Sequence, residues 1–272
     1  MRKSFLLSIL SLLIASATAQ AQHLDDIALG IAESQLVPGV FQVQGASIAT
    51  VLSQRVFLAQ FEVAPDFTTE PGFQSLVGAF EGGSRIGFTI RKALRKWNGS
   101  EFPQGPEGIP HERIQIKLGP AANVRLTPLA DESVQGFSLE VNDQGQFHQH
   151  PGFTLLAPAS NGVYLLELEL WSTQSGLLSS PPFWVVFGQN VDEAELRAAA
   201  SWVRSFRWVP SCPGDLNADG FVDDADFTIF VVAYDYLLCD PPGCPADLNG
   251  DWVTDDSDFL IFVSAYDTLL CP

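Results

Sequence analysis

Apolar and polar side chains alternate along much of the chain before residue 190, and alternation with a period of two predicts half-buried β-strands. The clearest case is the segment 163–171. Alternate residues form its apolar and acidic faces, with Tyr164, Leu166, Leu168 and Leu170 on the first and Glu167 and Glu169 on the second. Further strands are predicted at 26–32, 55–63, 114–118, 136–141 and 183–187.

Turn-forming residue pairs separate these predicted strands, and each pair contains glycine. The pairs are Pro38-Gly39, Gly82-Gly83, Asn98-Gly99 and Asn161-Gly162. The segment 99–110 is rich in proline and glycine and is predicted to be a loop. Many short strands with frequent turns predict an all-β main domain over 22–209, of the sandwich or jelly-roll type.

One helix is predicted at the end of this domain. Asp192 is a candidate N-cap, and Glu195 follows three residues later, as in a capping box. Apolar residues then recur at helical spacing: Leu196, Ala199, Ala200, Val203 and Phe206. The helix should pack against the sheet and end at 207–210, and the pair Pro210-Ser211 is the predicted linker to the next domain.

An internal repeat occupies the C-terminal segment. Residues 215–227 recur at 247–259, an offset of 32 residues, and the match continues through 229–239 and 261–271. Calcium takes six to eight oxygen ligands, and a twelve-residue loop supplies them from positions 1, 3, 5, 7, 9 and 12. The predicted ligands are Asp215, Asn217, Asp219, the carbonyl of Phe221, Asp223 and Asp226 in the first loop, and Asp247, Asn249, Asp251, the carbonyl of Val253, Asp255 and Asp258 in the second.

With these ligands and the apolar helices behind them, residues 210–272 resemble a type I dockerin module, over about a fifth of the chain. Position 12 is Asp where the EF-hand loop has Glu, and Asp there agrees with dockerins. The resemblance implies two antiparallel loop–helix units that bind Ca²⁺ at two sites. Position 6 is Gly220 in the first loop and Trp252 in the second, and this turn favours glycine, so we predict that the second site is weaker.

The resemblance also implies docking to a cohesin-like or other surface scaffold protein, typically in polysaccharide-degrading assemblies. Recognition in the family usually falls on loop positions 10 and 11, often a Ser-Thr pair. Those positions are Asp224-Ala225 and Asp256-Ser257 here. The resemblance therefore implies that this chain binds calcium, and it does not imply the usual cohesin partner.

All four cysteines lie in this C-terminal segment, which predicts two disulfides in an exported protein. Pairing within each repeat would join Cys212 to Cys239, yet Cys212 can reach only about 10 Å from the metal, and Cys239, after a helix of about 13 residues, sits about 20 Å from it. Disulfide Cα atoms lie within about 7 Å. In an antiparallel module the end of the second helix returns to the first loop. We therefore favour Cys212–Cys271 and Cys239–Cys244 as a hypothesis among the three connectivities.

The charge distribution restricts the partners. The net charge is −18, and the segment from Cys212 onward contains thirteen Asp and no Glu, Lys or Arg. A carboxylate cluster this dense repels itself unless cations neutralise it. Nucleic acid is excluded as a partner because no basic stripe is present.

The first 21 residues predict a secretory signal peptide. Arg2 and Lys3 precede a short apolar run at 5–14, and small residues suited to cleavage follow at 17–21. No other stretch is apolar and long enough for a membrane helix. We expect a secreted bacterial protein, extracellular or at the cell surface, with no membrane span in the mature chain.

His148 and His150 form a second candidate metal site. Side chains two apart project to one side of an extended segment, and such a pair can bind a transition metal. The third ligand is not evident from the sequence, and His111, Glu112 and Glu140 are the candidates. Without a third ligand, the simpler interpretation is a pair of surface histidines at a strand end.

The sequence contains no G-x-S-x-G, P-loop or H-E-x-x-H motif, and the expectation is a non-catalytic protein. If it is an enzyme, glycoside hydrolysis is the class to expect, since that chemistry needs two facing carboxylates. Its candidates are Glu62, Asp66, Glu167 and Glu169. Trp97, Trp171 and Trp184 are candidates for sugar stacking. Packing in the core is the favoured interpretation, because aromatic residues dominate core burial.

The segments 162–164 and 182–187, with His-x-His upstream, resemble uncharacterised domains of bacterial surface-anchored proteins, a resemblance that assigns no activity. Three functions follow as hypotheses. The leading one is a non-catalytic exported domain held on a scaffold or cell surface by the calcium-dependent module. The alternatives are a carbohydrate-binding or polysaccharide-degrading component of a cellulosome-like complex, and a His-x-His transition-metal-binding surface protein.

Overall fold

The structure, a computed structural model, describes residues 26–44, 47–52, 54–207, 213–216, 221–236, 246–249 and 253–267. Within them the chain is mostly β-sheet with three α-helices, which confirms a β-rich main domain followed by a helix. The predicted signal peptide, the linker at 210–211 and the four cysteines all lie outside the described residues.

Fifteen strands and three helices occur in the described part of the chain. The strands are β1 (Ile27–Ala32), β2 (Gln35–Gln44), β3 (Ser47–Val51), β4 (Val56–Gln60), β5 (Phe67–Thr68), β6 (Phe73–Ser75), β7 (Arg85–Ile90), β8 (Arg95–Lys96), β9 (Ile114–Lys117), β10 (Val124–Leu126), β11 (Val134–Glu140), β12 (His148–Gln149), β13 (Gly152–Leu155), β14 (Gly162–Ser172) and β15 (Phe183–Gln189). The helices are α1 (Glu193–Arg207), α2 (Asp224–Tyr236) and α3 (Asp256–Tyr266).

These strands form three sheets. The order is β12-β6-β1-β2-β3 in the five-stranded sheet and β10-β9-β13-β5 in the four-stranded sheet. The six-stranded sheet runs β11-β7-β14-β15-β4, with β8 also paired to β14. Most pairs are antiparallel, but β1 pairs with β6, and β15 with β4, in parallel. The parallel pair β1–β6 places residues distant in sequence side by side.

The predicted strand at 163–171 is confirmed as β14, but its two faces differ from the prediction. Tyr164 and Leu166 enter the main core, while Val163 and Leu165 are also buried, in a second core beneath α1. Only the C-terminal half of the strand therefore alternates between buried and partly exposed positions.

The acidic face of β14 is likewise less exposed than the sequence predicted. The side chain of Glu167 is only 11% exposed, because it pairs with Lys92 at 3.6 Å and accepts a hydrogen bond from Trp184 Nε1 at 3.3 Å. Glu169 pairs with Arg91 at 2.5 Å. Both carboxylates are therefore neutralised within the sheet.

The helix after the sheets begins as predicted. Asp192 Oδ1 accepts a hydrogen bond from the backbone N–H of Glu195 at 2.8 Å, which caps the first turn of α1. Four of its predicted apolar residues are buried against the six-stranded sheet: Leu196, Ala199, Ala200 and Val203. The side chain of Phe206, the fifth, lies outside the described residues.

The turn predicted at Pro38-Gly39 is wrong. Both residues lie inside β2, where Pro38 pairs with Leu29 and Gly39 with Ala28. A Cβ on Gly39 would lie 1.9 Å from the carbonyl oxygen of Val51, so this glycine permits the close approach of β3. The residue marks tight strand packing rather than a reversal of the chain.

The three tryptophans proposed for sugar stacking pack within the body. Trp184 is buried in the core beneath α1. Trp97 lies against Phe102, with ring centroids 5.1 Å apart, and against Trp202 of α1. The Trp171 ring covers the site where a Cβ on Gly87 would lie, and its Nε1 donates to the carbonyl of Phe88 at 3.1 Å.

Helices α2 and α3 pack on each other through aromatic rings, with the centroids of Phe230 and Phe262 5.0 Å apart. The buried residues of both helices and their loops belong to the same contiguous cluster as the main core. A direct link to the sheets is the hydrogen bond from Gln42 Nε2 on β2 to the carbonyl of Ile229 at 3.2 Å. No helix of the described residues is long and apolar enough to span a membrane.

Candidate metal centres

The last ligand position of each predicted calcium loop is a buried carboxylate held by backbone N–H groups. Asp226 is fully buried, and its Oδ1 accepts from Leu216 N at 2.8 Å and its Oδ2 from Asp223 N at 3.0 Å. These two hydrogen bonds hold the carboxylate in a fixed orientation within its own loop.

Asp258 occupies the equivalent place in the second loop. Its Oδ1 accepts from Leu248 N at 2.7 Å and Asn249 N at 3.0 Å, and its Oδ2 from Asp255 N at 2.9 Å. Burial raises the pKa of Asp258, the nearby charge of Asp247 adds to the rise, and the backbone hydrogen bonds oppose it. Two carboxylates this close in a buried loop favour a bound cation.

Position 9 of each loop acts as a helix cap. Asp223 Oδ1 accepts from Ala225 N at 2.8 Å, and Asp255 Oδ1 accepts from Ser257 N at 2.7 Å. The cap is reciprocal in both loops, because the side chains of Asp226 and Asp258 also accept from the backbone N–H of the capping aspartate. The two repeats are therefore alike in hydrogen bonding as well as in sequence.

Each helix is also tied to the start of the other. Tyr234 Oη on α2 donates to Asp256 Oδ1 at 2.5 Å, and Tyr266 Oη on α3 donates to Asp224 Oδ1 at 2.6 Å. Each hydrogen bond raises the pKa of its tyrosine, because ionisation would place two anions together. The position-10 aspartates, where the dockerin family places recognition residues, are thus used within the module.

The described loop residues fit calcium in the chemistry of their donors, which are hard carboxylate and carbonyl oxygens. Phe221 and Val253, whose carbonyls are predicted ligands, each form an isolated β-bridge. Asp215 and Asn249 are also described, and Asn249 contacts Asp258 as given above. Predicted ligands Asn217, Asp219 and Asp251, and the contrasting residues Gly220 and Trp252, lie outside the described residues.

Asp247, the first predicted ligand of the second loop, has a partner from the body of the protein. Arg204 on α1 donates from Nη1 to Asp247 Oδ2 at 2.6 Å, and both side chains are buried. Burial lowers the pKa of Arg204, and the charge of Asp247 opposes that shift. A cation in this loop must share the Asp247 carboxylate with a guanidinium.

The histidine pair lies at the edge of the five-stranded sheet. Ile27 of β1 and Gln149 of β12 both pair with Phe73 of the strand between them, one in parallel and one in antiparallel register. Asp26 is the residue just before β1, and His150 is the residue just after Gln149. These two residues therefore lie on either side of Gly72. A Cβ on Gly72 would lie 2.5 Å from both Asp26 Oδ1 and His150 Cε1, so only glycine lets them meet.

Three side-chain atoms converge at this edge. His148 Nε2 and His150 Nε2 are 3.0 Å apart, and they lie 3.5 and 3.4 Å from Asp26 Oδ2. Asp26 is fully buried, and neither of its oxygens accepts a hydrogen bond from the described residues. Among the described residues, this is the group of histidine, cysteine and acidic side chains whose ligand atoms come within 4.8 Å of one another.

Glu70 lies on the outer side of His150. Its Oε1 is 3.3 Å from His150 Nδ1, and its Oε2 accepts from the backbone N–H of Gly72 at 3.2 Å. The interaction with Asp26 raises the pKa of His150, burial opposes the rise, and the charge of Glu70 adds to it.

The third ligands considered from the sequence are wrong. Glu112 is buried and accepts a hydrogen bond from Ser160 N at 3.1 Å, Glu140 lies 3.8 Å from Arg85, and His111 is exposed. The residue that meets the histidines is Asp26, some 120 positions earlier. No periodicity in the sequence indicates the pairing of β1, β6 and β12 that brings it there.

Three of the four carboxylates considered for glycoside hydrolysis have partners in the body of the protein. Glu167 and Glu169 form the ion pairs of β14 described above. Asp66 accepts a hydrogen bond from Gln189 Nε2, and Glu62 is exposed.

Comparison with known proteins assigns no family to the chain. No protein-family model and no curated protein matches it.

Proposed function

We propose that this protein is an exported, non-catalytic domain held on a scaffold or cell surface by a calcium-dependent, dockerin-like module. The observation that supports this best is that Asp226 and Asp258 occupy equivalent environments. Each is a fully buried carboxylate at loop position 12, held by backbone N–H groups of its own loop. A solvated acidic tail would not bury these groups.

The surface of the module supports docking to a protein partner. Apolar side chains are exposed at equivalent places on both helices. The 32-residue repeat relates Phe227 on α2 to Phe259 on α3, and Val231 on α2 to Val263 on α3. Leu260 on α3 is 71% exposed. A cohesin-like scaffold with an apolar docking face is the partner that this arrangement suits.

The body is proposed as a sandwich-like display domain. Two apolar clusters, one on each face of the six-stranded sheet, support a layered arrangement in which the sheet lies between α1 and the main core. Export through a cleaved signal peptide remains part of the proposal and rests on residues 1–21.

Calorimetric titration of the full mature chain with Ca²⁺ tests the module. We expect a stoichiometry of two Ca²⁺ ions per chain, and we expect it to fall in both Asp226→Asn and Asp258→Asn. Asp267→Asn, at an exposed position after α3, is the matched control and should leave the stoichiometry unchanged. Absence of heat in the wild type, with hydrogen exchange of α2 and α3 unaffected by EGTA, would reject the proposal.

Docking is tested separately with a panel of purified cohesin domains, with and without Ca²⁺. Val231→Glu and Leu260→Glu should abolish capture while leaving the calcium titration intact. Leu129→Glu places the same charge at a residue of the body that is 68% exposed and should have no effect. Calcium binding without capture by any cohesin would separate the metal assignment from the partner assignment.

A further inference from the structure

We infer that Asp26, His148 and His150 form a binding site for a divalent first-row transition-metal ion, separate from the calcium loops. The site lies at the edge of the five-stranded sheet and combines two imidazole nitrogens with one carboxylate oxygen. It is independent of the proposed docking function, since none of its residues belongs to the C-terminal repeats.

The spacing of the three atoms matches a metal coordination sphere. Ligands bound at 2.0–2.1 Å in a tetrahedral site lie about 3.3 Å from one another. The three observed separations are 3.0, 3.4 and 3.5 Å. A point equidistant from the three atoms in their plane lies about 1.9 Å from each, so an ion slightly above that plane meets normal bond lengths.

The donor set selects the class of metal. Calcium and magnesium prefer oxygen ligands, whereas imidazole suits zinc, copper, iron and nickel. Two histidines with one carboxylate bind zinc in hydrolytic sites and iron(II) in oxygenase sites, in both cases with open positions for water. Here both histidine side chains are 25% exposed, so one side of the site is open to solvent.

Glu70 is a positioning residue for this site. The Glu70 carboxylate, with Oε1 3.3 Å from His150 Nδ1, favours a proton on Nδ1 and so the tautomer that leaves Nε2 unprotonated and directed at the ion. Such outer partners usually change metal affinity by about 10- to 100-fold. The backbone of Gly72 in turn holds the other oxygen of Glu70.

A metal-free arrangement explains less of the geometry. One proton shared between the two Nε2 atoms accounts for their 3.0 Å separation. It leaves Asp26 fully buried, with neither oxygen hydrogen-bonded to any group in the described part of the chain. Burying an ionised carboxylate in this way is costly unless a cation or a donor compensates it. A metal ion bound to all three groups satisfies Asp26 and both histidines at once.

The test uses the full mature chain, stripped of metals and then saturated with Ca²⁺ so that the C-terminal loops are filled. Zn²⁺ is titrated by calorimetry, and Co²⁺ by its visible absorption, which reports coordination geometry. We expect one Zn²⁺ per chain. His148→Gln, His150→Gln and Asp26→Asn should each weaken binding by about 100-fold or more, and Glu70→Gln by about 10- to 100-fold.

His111, which is exposed and is not one of the three ligands, provides the control. His111→Gln should retain wild-type zinc affinity, and circular dichroism should show that every variant is folded. Absence of zinc binding in the folded wild type would overturn the inference. So would binding that survives the double variant His148→Gln/His150→Gln. Neither result would bear on the calcium module, because its sites are filled throughout the titration.

Discussion

Arg204 of α1 and Asp247 of the second predicted calcium loop form a buried ion pair, with Nη1 and Oδ2 2.6 Å apart. This pair joins the last helix of the main domain to the first predicted ligand position of the second repeat. It gives that loop a direct charged contact with α1.

Arg204→Met should have opposite effects on stability and on calcium affinity. Without Ca²⁺, the variant leaves a buried carboxylate uncompensated, and we expect the free energy of unfolding to fall by about 3 kcal/mol. With Ca²⁺ the loss should largely disappear, and the second site should bind about tenfold more tightly because a competing positive charge is gone. Urea unfolding and calorimetry measure the two effects.

Arg197→Met is the control for that variant. Arg197 lies on the same helix and pairs with Glu193 at 2.6 Å, but this pair is at the surface. Surface pairs contribute little, so its calcium affinity should equal that of the wild type. Equal behaviour of the two variants would show that the Arg204–Asp247 contact does not influence the loop.

The two tyrosines that hydrogen-bond from one helix to the other should ionise at a higher pH than an ordinary tyrosine. Tyr234 and Tyr266 have raised pKa values because each hydroxyl donates to an aspartate. A pKa raised in the folded state stabilises the fold below the ordinary tyrosine value, and this contribution is lost as the pH rises through the folded value. Ultraviolet titration should show Asp256→Asn lowering the pKa of Tyr234 while leaving that of Tyr266 in place.

Glu112 should stabilise the body at neutral pH and not in acid. Burial pushes the pKa of Glu112 upward, but hydrogen bonds from Ser160 and the charge of Lys96 outweigh it and leave the pKa below its ordinary value. The stabilisation is therefore complete above the unfolded value and lost as the pH falls through the folded one. Glu112→Gln should cost about 1 kcal/mol at neutral pH, and the difference from wild type should close as the pH falls below the lowered pKa of Glu112. Glu107→Gln, at an exposed position, should show no such trend.

Gly72→Ala should damage the histidine site without touching a ligand. The added methyl group would lie 2.5 Å from Asp26 Oδ1 and His150 Cε1. We expect a loss of about 2 kcal/mol in unfolding free energy from overpacking, together with loss of zinc binding. Gly82→Ala, whose Cβ would lie 3.1 Å from the carbonyl oxygen of Asn142 and away from the histidines, is the control and should retain zinc affinity. Retained zinc affinity in Gly72→Ala would contradict the proposed crossing over this glycine.

The disulfide hypothesis predicts that peptide mapping of the oxidised protein joins Cys212 to Cys271 and Cys239 to Cys244. A Cβ on Gly214 would lie 2.8 Å from Cβ of Ala265, so the start of the first loop adjoins the end of α3. This contact supports the clasp from one end of the module to the other. A peptide joining Cys212 to Cys239 would reject it.

Local signals explain which elements the sequence predicted correctly. The strand β14 and the cap of α1 depend on periodicity and on one side chain, Asp192, both of which act over a few residues. The failure at Pro38-Gly39 has the opposite origin. The neighbouring strand occupies the space that a side chain would fill there, and no short-range pattern in the sequence indicates this.

The histidine site shows the same limit. The sequence identified His148 and His150 as a pair on one side of an extended segment, and the structure places them so. Their partner Asp26 depends on strand order, with β6 between β1 and β12. Long-range pairing of this kind follows from tertiary packing and leaves no signature in the residues around Asp26.

The crossed hydrogen bonds of Tyr234 and Tyr266 have a consequence for how the module responds to its ion. If one loop opens, the helix that follows the other loop loses one of these hydrogen bonds. States with an ion in only one loop, whichever loop it is, are therefore disfavoured. The response should then resemble a threshold more than a gradual change, with a Hill coefficient above one. Attachment to a scaffold would switch over a narrow interval of calcium concentration.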